Sequence, residues 1–240
     1  MNNKDYKFKI TKILLIIIVM LYFSFLYMDI FKIGTALVSN RLKFISMILI
    51  FIISLIKKED ALELRDIYLL QVGLFLTIFA DLFLLILDNY YIIGIALFSI
   101  VQILYSIRYE YKKAKLIIKN FIIIFIVLIF IYIIINSFIV KVDLLIAISF
   151  YYAICLLTSV IKGIKVYIYE YYPTPNRQMI ALGMVLFLLC DINVALYNII
   201  EFLSLKGKFV GLLYNIFFIS MWLYYLPSQV LLSISGYRYR

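Results

Sequence analysis

The chain has 240 residues, of which 67% are hydrophobic and 15% charged, with a net charge of +10. A chain of that length with so little charge carries more apolar surface than one globular core can hide, which excludes a water-soluble enzyme and a disordered or fibrous chain. Histidine is absent and the only cysteines, Cys155 and Cys190, lie in apolar stretches, which excludes a Ser-His-Asp triad, a His-ligated zinc site and a disulfide scaffold.

A transmembrane helix needs about 20 mostly apolar residues to cross about 30 Å of hydrocarbon. In chain order the sequence predicts eight of them: Ile13 to Phe31, Ile33 to Ile56, Ile67 to Leu87, Tyr90 to Ile107, Asn120 to Val140, Asp143 to Ile161, Gln178 to Ile200, and Phe209 to Ser235. The isoleucine-rich runs are too long for buried strands. In lipid a helix satisfies its own backbone, whereas an open sheet does not. No small-residue cleavage site follows the first run, so it is expected to stay in place as a span. The expectation is an all-α, polytopic integral membrane protein, with residues 1–240 forming a single eight-helix transmembrane domain.

Charge placement orients this chain. With the N-terminus inside, 17 of the 23 basic residues flank the inner ends of the spans, among them Lys4, Lys57, Lys58, Arg108, Lys162 and Arg240. Only Lys32, Lys141, Lys206 and Lys208 fall outside, while Arg41 and Lys43 lie within the second span. This split follows the positive-inside rule and places both termini in the cytoplasm. The excess of positive charge then serves topology and contact with anionic lipids at the cytoplasmic face, not nucleic acid. Tyrosines at Tyr90, Tyr91, Tyr109, Tyr111, Tyr167, Tyr169, Tyr171 and Tyr172 are expected to anchor the interfaces. The run Tyr172-Pro173-Thr174-Pro175-Asn176 is expected to break the chain between spans six and seven. A composition rich in Ile, Lys, Tyr and Asn fits a low-GC bacterium, and hence a bacterial cytoplasmic membrane.

Two acids stand inside spans, Asp81 in the third and Asp191 in the seventh. A charged residue at the centre of a membrane helix costs about 2.5–3.5 kcal/mol on insertion scales, which makes each a candidate for function. At 1.5 Å per residue both lie about 20 Å from the inner ends of their spans, at one shared depth. Gly73 precedes Asp81 by eight residues and Gly183 precedes Asp191 by eight, an offset of 110. Four spans separate the two segments, so the pattern fits a parallel 4+4 repeat. Arg41 and Lys43 are the nearest cations by sequence, with Arg41 also placed to snorkel toward the interface. Asn193, Asn198, Asn215 and Gln229 suit interhelical hydrogen bonding. The alternative for both acids is a structural role, paired with a lysine or hydrogen-bonded to Tyr and Asn.

Two carboxyls in differently desolvated positions can hold different protonation states, one donating a proton while the other stays ionised. That suits hydrolysis through an oxocarbenium-like state, at a depth where the substrate is a lipid. A basic group nearer the surface would hold a phosphate.

The chain resembles the YhhN family of eight-span membrane proteins. The matching segments are Arg41-Leu-Lys43, Ala80-Asp81-Leu, Gly94 through Tyr105, Cys190-Asp191, and Tyr225-Leu-Pro-Ser-Gln229. The resemblance implies a lysoplasmalogenase: hydrolysis of the vinyl-ether bond of a lysoplasmalogen to a fatty aldehyde and a glycerophospho-headgroup, without metal or cofactor. It implies Asp81 and Asp191 as the catalytic pair. Arg41, Lys43, Gln102, Tyr105, Tyr225 and Gln229 are the expected substrate-binding residues, the substrate being a lysophospholipid. The family usually has His where this chain has Gln102, which hydrogen-bonds but does not exchange protons. It usually has Pro where this chain has Phe44, and other small residues at Ala80 and Cys190. The other reading is a lipid-binding protein or a proton- or cation-coupled transporter built on the same acids.

Overall fold

The computed structural model describes residues 3–56 and 60–239. Lys57, Lys58 and Arg240 of the basic tally, and the side chain of Lys4, lie outside what is described. Among the described residues eight α-helices form: α1 (Asn3–Phe31), α2 (Ala36–Ile56), α3 (Leu64–Asp81), α4 (Tyr91–Tyr109), α5 (Ala114–Phe138), α6 (Leu144–Ile168), α7 (Asn176–Phe202) and α8 (Lys208–Ile234). Among the described residues there is no strand, only an isolated bridge between Ala61 and Tyr237. All eight helices are long and apolar enough to cross a membrane, the architecture of an integral membrane protein.

Most helices overrun the predicted spans. Helix α1 begins at Asn3 and not Ile13, α5 at Ala114 and not Asn120, and α6 continues to Ile168 past Ile161. Hydropathy marks the hydrocarbon crossing, whereas the backbone goes on satisfying itself beyond it, through flanks such as Lys115 and Lys165. Helix α2 starts late, at Ala36, because Lys32 and Gly34 turn the chain with φ of 55° and 82°. Helix α3 runs into a π-helical segment, Leu82–Leu87, that ends on a left-handed Asp88. Pro227 lies inside α8 and lacks the N–H that would bond the carbonyl of Leu223. The Tyr22 hydroxyl of α1 donates to that carbonyl instead, at 2.9 Å, so a neighbouring helix repairs the break.

Helices α3 and α4 pack together, α4 also meets α5 and α6, α6 leads to α7, and α7 lies along α8. Helices α1 and α2 close the bundle against α8, and α2 also touches α3 and the π segment. Helix α5 turns Ile122, Ile126, Phe130 and Ile133 outward, the lipid-facing pattern of a peripheral span.

One end of the bundle collects the C-terminal segment and the α2–α3, α4–α5 and α6–α7 connections, and is called the basic end below. There Arg108 makes a bidentate ion pair with Asp66, at 2.8 and 3.0 Å, with both side chains almost fully buried. The Tyr172 hydroxyl bonds the same carboxyl. Asn176 Nδ2 donates to the carbonyls of Ser235 and Tyr237, and the Tyr237 hydroxyl to Ser54 O. Two of the expected interface tyrosines are therefore not headgroup anchors. Tyr109 is buried beside Arg108, and Tyr172 is bound into this cluster, because each faces the only buried guanidinium–carboxylate pair among the described residues. Tyr90, Tyr91, Tyr111, Tyr167, Tyr169 and Tyr171 are exposed as expected.

Candidate functional site

The third-span acid is the last residue of α3, about 26 Å along the helix axis from Leu64. Asp81 is buried, and both its oxygens accept from the Tyr225 hydroxyl of α8, at 3.1 and 2.9 Å. Asp191, about 22 Å along α7 from its start, is only partly buried and accepts from the Tyr152 hydroxyl of α6 at 2.5 Å. Each acid is thus held by one phenol from another helix. The two phenol rings flank the same side chain, Phe98 of α4, with centroids 6.4 Å (Tyr225) and 6.1 Å (Tyr152) away. Phe187 of α7 packs on both Phe98 and Tyr225. Cys190 and Cys155 are free and buried.

Of the six predicted binding residues, Tyr225, Gln102, Gln229 and Tyr105 lie at four separate points along the bundle. Tyr225 is on Asp81. Gln102, one turn of α4 below Phe98, accepts from Ser159 Oγ at 2.5 Å, and its amide nitrogen has no hydrogen-bond partner. Gln229 follows Tyr225 by one turn on the same face of α8, fully buried, with neither amide atom bonded. Tyr105 lies farther toward the basic end, its ring against Gly73, where a Cβ would meet Tyr105 Cε1 at 2.6 Å.

The two second-span cations diverge. Arg41 is exposed at the opening of α2, beside Asn40, which donates to Leu85 O in the π segment just beyond Asp81. Lys43 is the largest buried cation-bearing side chain of α2, 1% exposed, and it pairs with Asp29 of α1 at 2.8 Å and not with either span-centre acid. The reason is directional. Helical side chains lean toward their helix N-terminus, so Lys43 points back to the α1–α2 turn, where Asp29 sits with Ser39 donating to it at 2.6 Å. Its ammonium also stands 4.9, 5.2 and 5.7 Å from the ring centroids of Trp222, Phe218 and Phe25. Asn193 and Asn198 donate to carbonyls of their own helix, Leu189 and Val194, instead of bridging helices.

Tyr152, Ser159, Phe98, Trp222 and Asp29 join the candidate site only through the structure. A tyrosine in the middle of a span was the available signal for Tyr152, since a buried phenol needs a partner. Among the described residues no group of three or more His, Cys, Asp or Glu side chains is placed to hold a metal ion. The chemistry on offer is proton transfer between carboxyls and phenols within an aromatic wall.

Comparison with curated proteins and with solved structures gives no match. A family model described as the YhhN family matches residues 38–235, from the opening of α2 to the end of α8, and encloses both acids and their tyrosines. On that match the chain belongs to the YhhN family.

Proposed function

We propose that this chain is a membrane lipid hydrolase of the lysoplasmalogenase type, cleaving the vinyl-ether bond of a lysoplasmalogen with Asp81 and Asp191. The observation that carries the reading is the inequality of the two acids around Phe98. Asp81 is buried and shares one phenol between both oxygens, whereas Asp191 is partly buried and takes a single bond from Tyr152. Membership of the YhhN family supports the same reading.

Vinyl-ether hydrolysis needs two such groups. One carboxylic acid gives its proton to the β-carbon of the alkenyl chain, and the ether oxygen's lone pair stabilises the resulting oxocarbenium ion. Water adds to the carbon bearing that oxygen while the second carboxylate takes its proton. The hemiacetal then breaks its bond to the glycerol oxygen, which leaves as the alcohol, and the chain departs as a fatty aldehyde. The proton taken up in the second step restores the first acid. In this reading Asp191, the more open acid, meets the water, and Asp81 protonates the alkenyl carbon. Arg41, exposed next to the strand of contacts between α2 and the π segment, is the cation we assign to the lipid phosphate. The host membrane is the bacterial cytoplasmic membrane, with both termini and most basic residues on its cytoplasmic side.

The test is aldehyde release from an alkenyl lysophospholipid by the purified protein. Asp81→Asn and Asp191→Asn should each lower turnover by about a hundredfold or more. Undiminished release in both variants would overturn the mechanism.

A further inference from the structure

A line of contacts runs from α1 to Asp81, and every link in it is short. Asp29 Oδ2 fixes the Lys43 ammonium at 2.8 Å. That ammonium stands 4.9 Å from the centroid of the Trp222 ring. The indole meets the Tyr225 ring edge-on, at 5.1 Å and 86°, and the Tyr225 hydroxyl holds both oxygens of Asp81. Phe25 packs edge-on against Trp222 from the α1 side, at 5.7 Å.

A cation held near an indole ring, away from water, is attracted to the negative face of the ring and fixes its orientation. The edge-to-face contact of Trp222 with Tyr225 transmits that orientation, because aromatic pairs prefer this geometry over neighbouring ones. A buried ammonium already neutralised by a carboxylate and enclosed by rings is poorly placed to receive a phosphate. Moving it out would leave the Asp29 carboxylate with Ser39 but without its counter-ion, which is strongly unfavourable away from water.

We propose that Lys43 is a positioning residue for the acid centre: pinned by Asp29, it orients Trp222 and through it the Tyr225 hydroxyl on Asp81. This rests on the hydrolase reading for its catalytic consequence but not for its geometry. Asp29 lies outside the segment that matches the family model, so α1 contributes a support that the matched region does not contain.

The chain has a single tryptophan, so emission excited at the red edge of indole absorption, where tyrosine does not absorb, reports on Trp222 alone. Lys43→Met removes the charge at nearly constant length, and Lys43→Arg keeps it. In detergent, Lys43→Met should change the Trp222 emission maximum and intensity, Asp29→Asn should change them in the same sense, and Lys43→Arg should stay close to wild type. The emission changes caused by Lys43→Met and by Tyr225→Leu, which removes the ring that meets Trp222, should be non-additive, since both act on one ring pair. In the aldehyde assay Lys43→Met should lower kcat about tenfold with KM within about twofold, and Lys43→Arg should restore most of it. Unchanged or additive emission overturns the proposal, and so does a raised KM with kcat intact, the pattern of a phosphate ligand. If the wild-type protein releases no aldehyde, the hydrolase reading fails, and the emission cycle still decides whether Lys43 orients Trp222 and Tyr225.

Discussion

Tyr225 reaches Asp81 across 144 residues of sequence and gives one hydroxyl to both carboxyl oxygens. Asp81 becomes a carboxylate as it gives up its proton, and a hydrogen bond to a charged group is worth about 1.5–3 kcal/mol, so removing it slows turnover by about 10- to 150-fold. Tyr225→Phe keeps the ring contacts with Phe98, Phe187 and Trp222 and deletes only the donor. It should therefore reduce kcat for aldehyde release by that factor, with the fold retained by thermal unfolding. Wild-type kcat in Tyr225→Phe would mean that this hydrogen bond has no part in the chemistry.

The eight crossings were legible in the sequence because long apolar runs have no other stable form in lipid. Partnerships between helices were not. Asp29 reads as an acid near the end of a span and Lys43 as a cation near the start of the next. Only the turn through Lys32 and Gly34, together with the backward lean of a helical lysine, brings them to 2.8 Å. The π segment Leu82–Leu87 is uniformly apolar and carries no periodicity that would separate it from α-helix. Tyr109 and Tyr172 looked like interface anchors because position along the chain gives depth and not the face of the helix. Asp81 and Asp191 stand out in the sequence as acids inside long apolar runs, where insertion of a charge is costly. Their phenol partners depend on which helices become neighbours.

Gly73 and Gly211 should respond oppositely to alanine. A Cβ at Gly73 would come within 2.6 Å of the buried Tyr105 ring, whereas one at Gly211 meets nothing within 4 Å. Overpacking costs about 1–3 kcal/mol, while glycine in a helix interior is about 1 kcal/mol worse than alanine. Thermal unfolding in a fixed detergent should show Gly73→Ala with a lowered Tm and Gly211→Ala with an equal or raised one. A Gly73→Ala protein as stable as wild type would mean that α3 and α4 are not packed this closely.

The Asp66–Arg108 pair should be more costly to break than to remove. Arg108→Leu leaves the Asp66 carboxyl buried with only the Tyr172 hydroxyl, a loss of about 3–5 kcal/mol. Replacing both partners by leucine removes both desolvation costs, so the double variant should be the more stable of the two. Burial together with the Asp66 carboxyl holds the Tyr172 phenol above its ordinary range, and it remains a donor to Asp66 throughout the neutral and mildly basic range. Unfolding of the single and double variants at pH 7 measures the order. A double variant no better than Arg108→Leu would contradict it.

Glu110 and Lys162 make an ion pair at the basic end, where both side chains are partly buried. Burial alone would push the Glu110 carboxyl up, but the Lys162 ammonium, aided by Lys113 and Lys165, outweighs it and holds the carboxyl below its ordinary range. A carboxyl lowered on folding contributes stability that is complete above its unfolded-state pKa. That contribution is lost as pH falls through the folded value. Glu110→Gln should thus unfold at a lower temperature than wild type at pH 7, and the two should converge in acid, below the lowered pKa. A gap that persists unchanged into acid would show that the pair is not the source.

Gln229 buries an amide whose nitrogen and oxygen both lack a partner. An unpaired buried polar group costs about 1–3 kcal/mol, and an apolar side chain of similar size in its place escapes that cost. Gln229→Leu should therefore raise Tm in detergent. As a candidate substrate contact one turn from Tyr225, the same amide would find its partner in the bound lipid, so the variant should also raise KM for alkenyl lysophospholipid while leaving kcat near wild type. This is the stability–function trade expected where a folded protein keeps a polar group unsatisfied until ligand arrives. A lower Tm would indicate that the amide is bonded in the folded protein. A raised Tm with unchanged KM would remove Gln229 from the binding set.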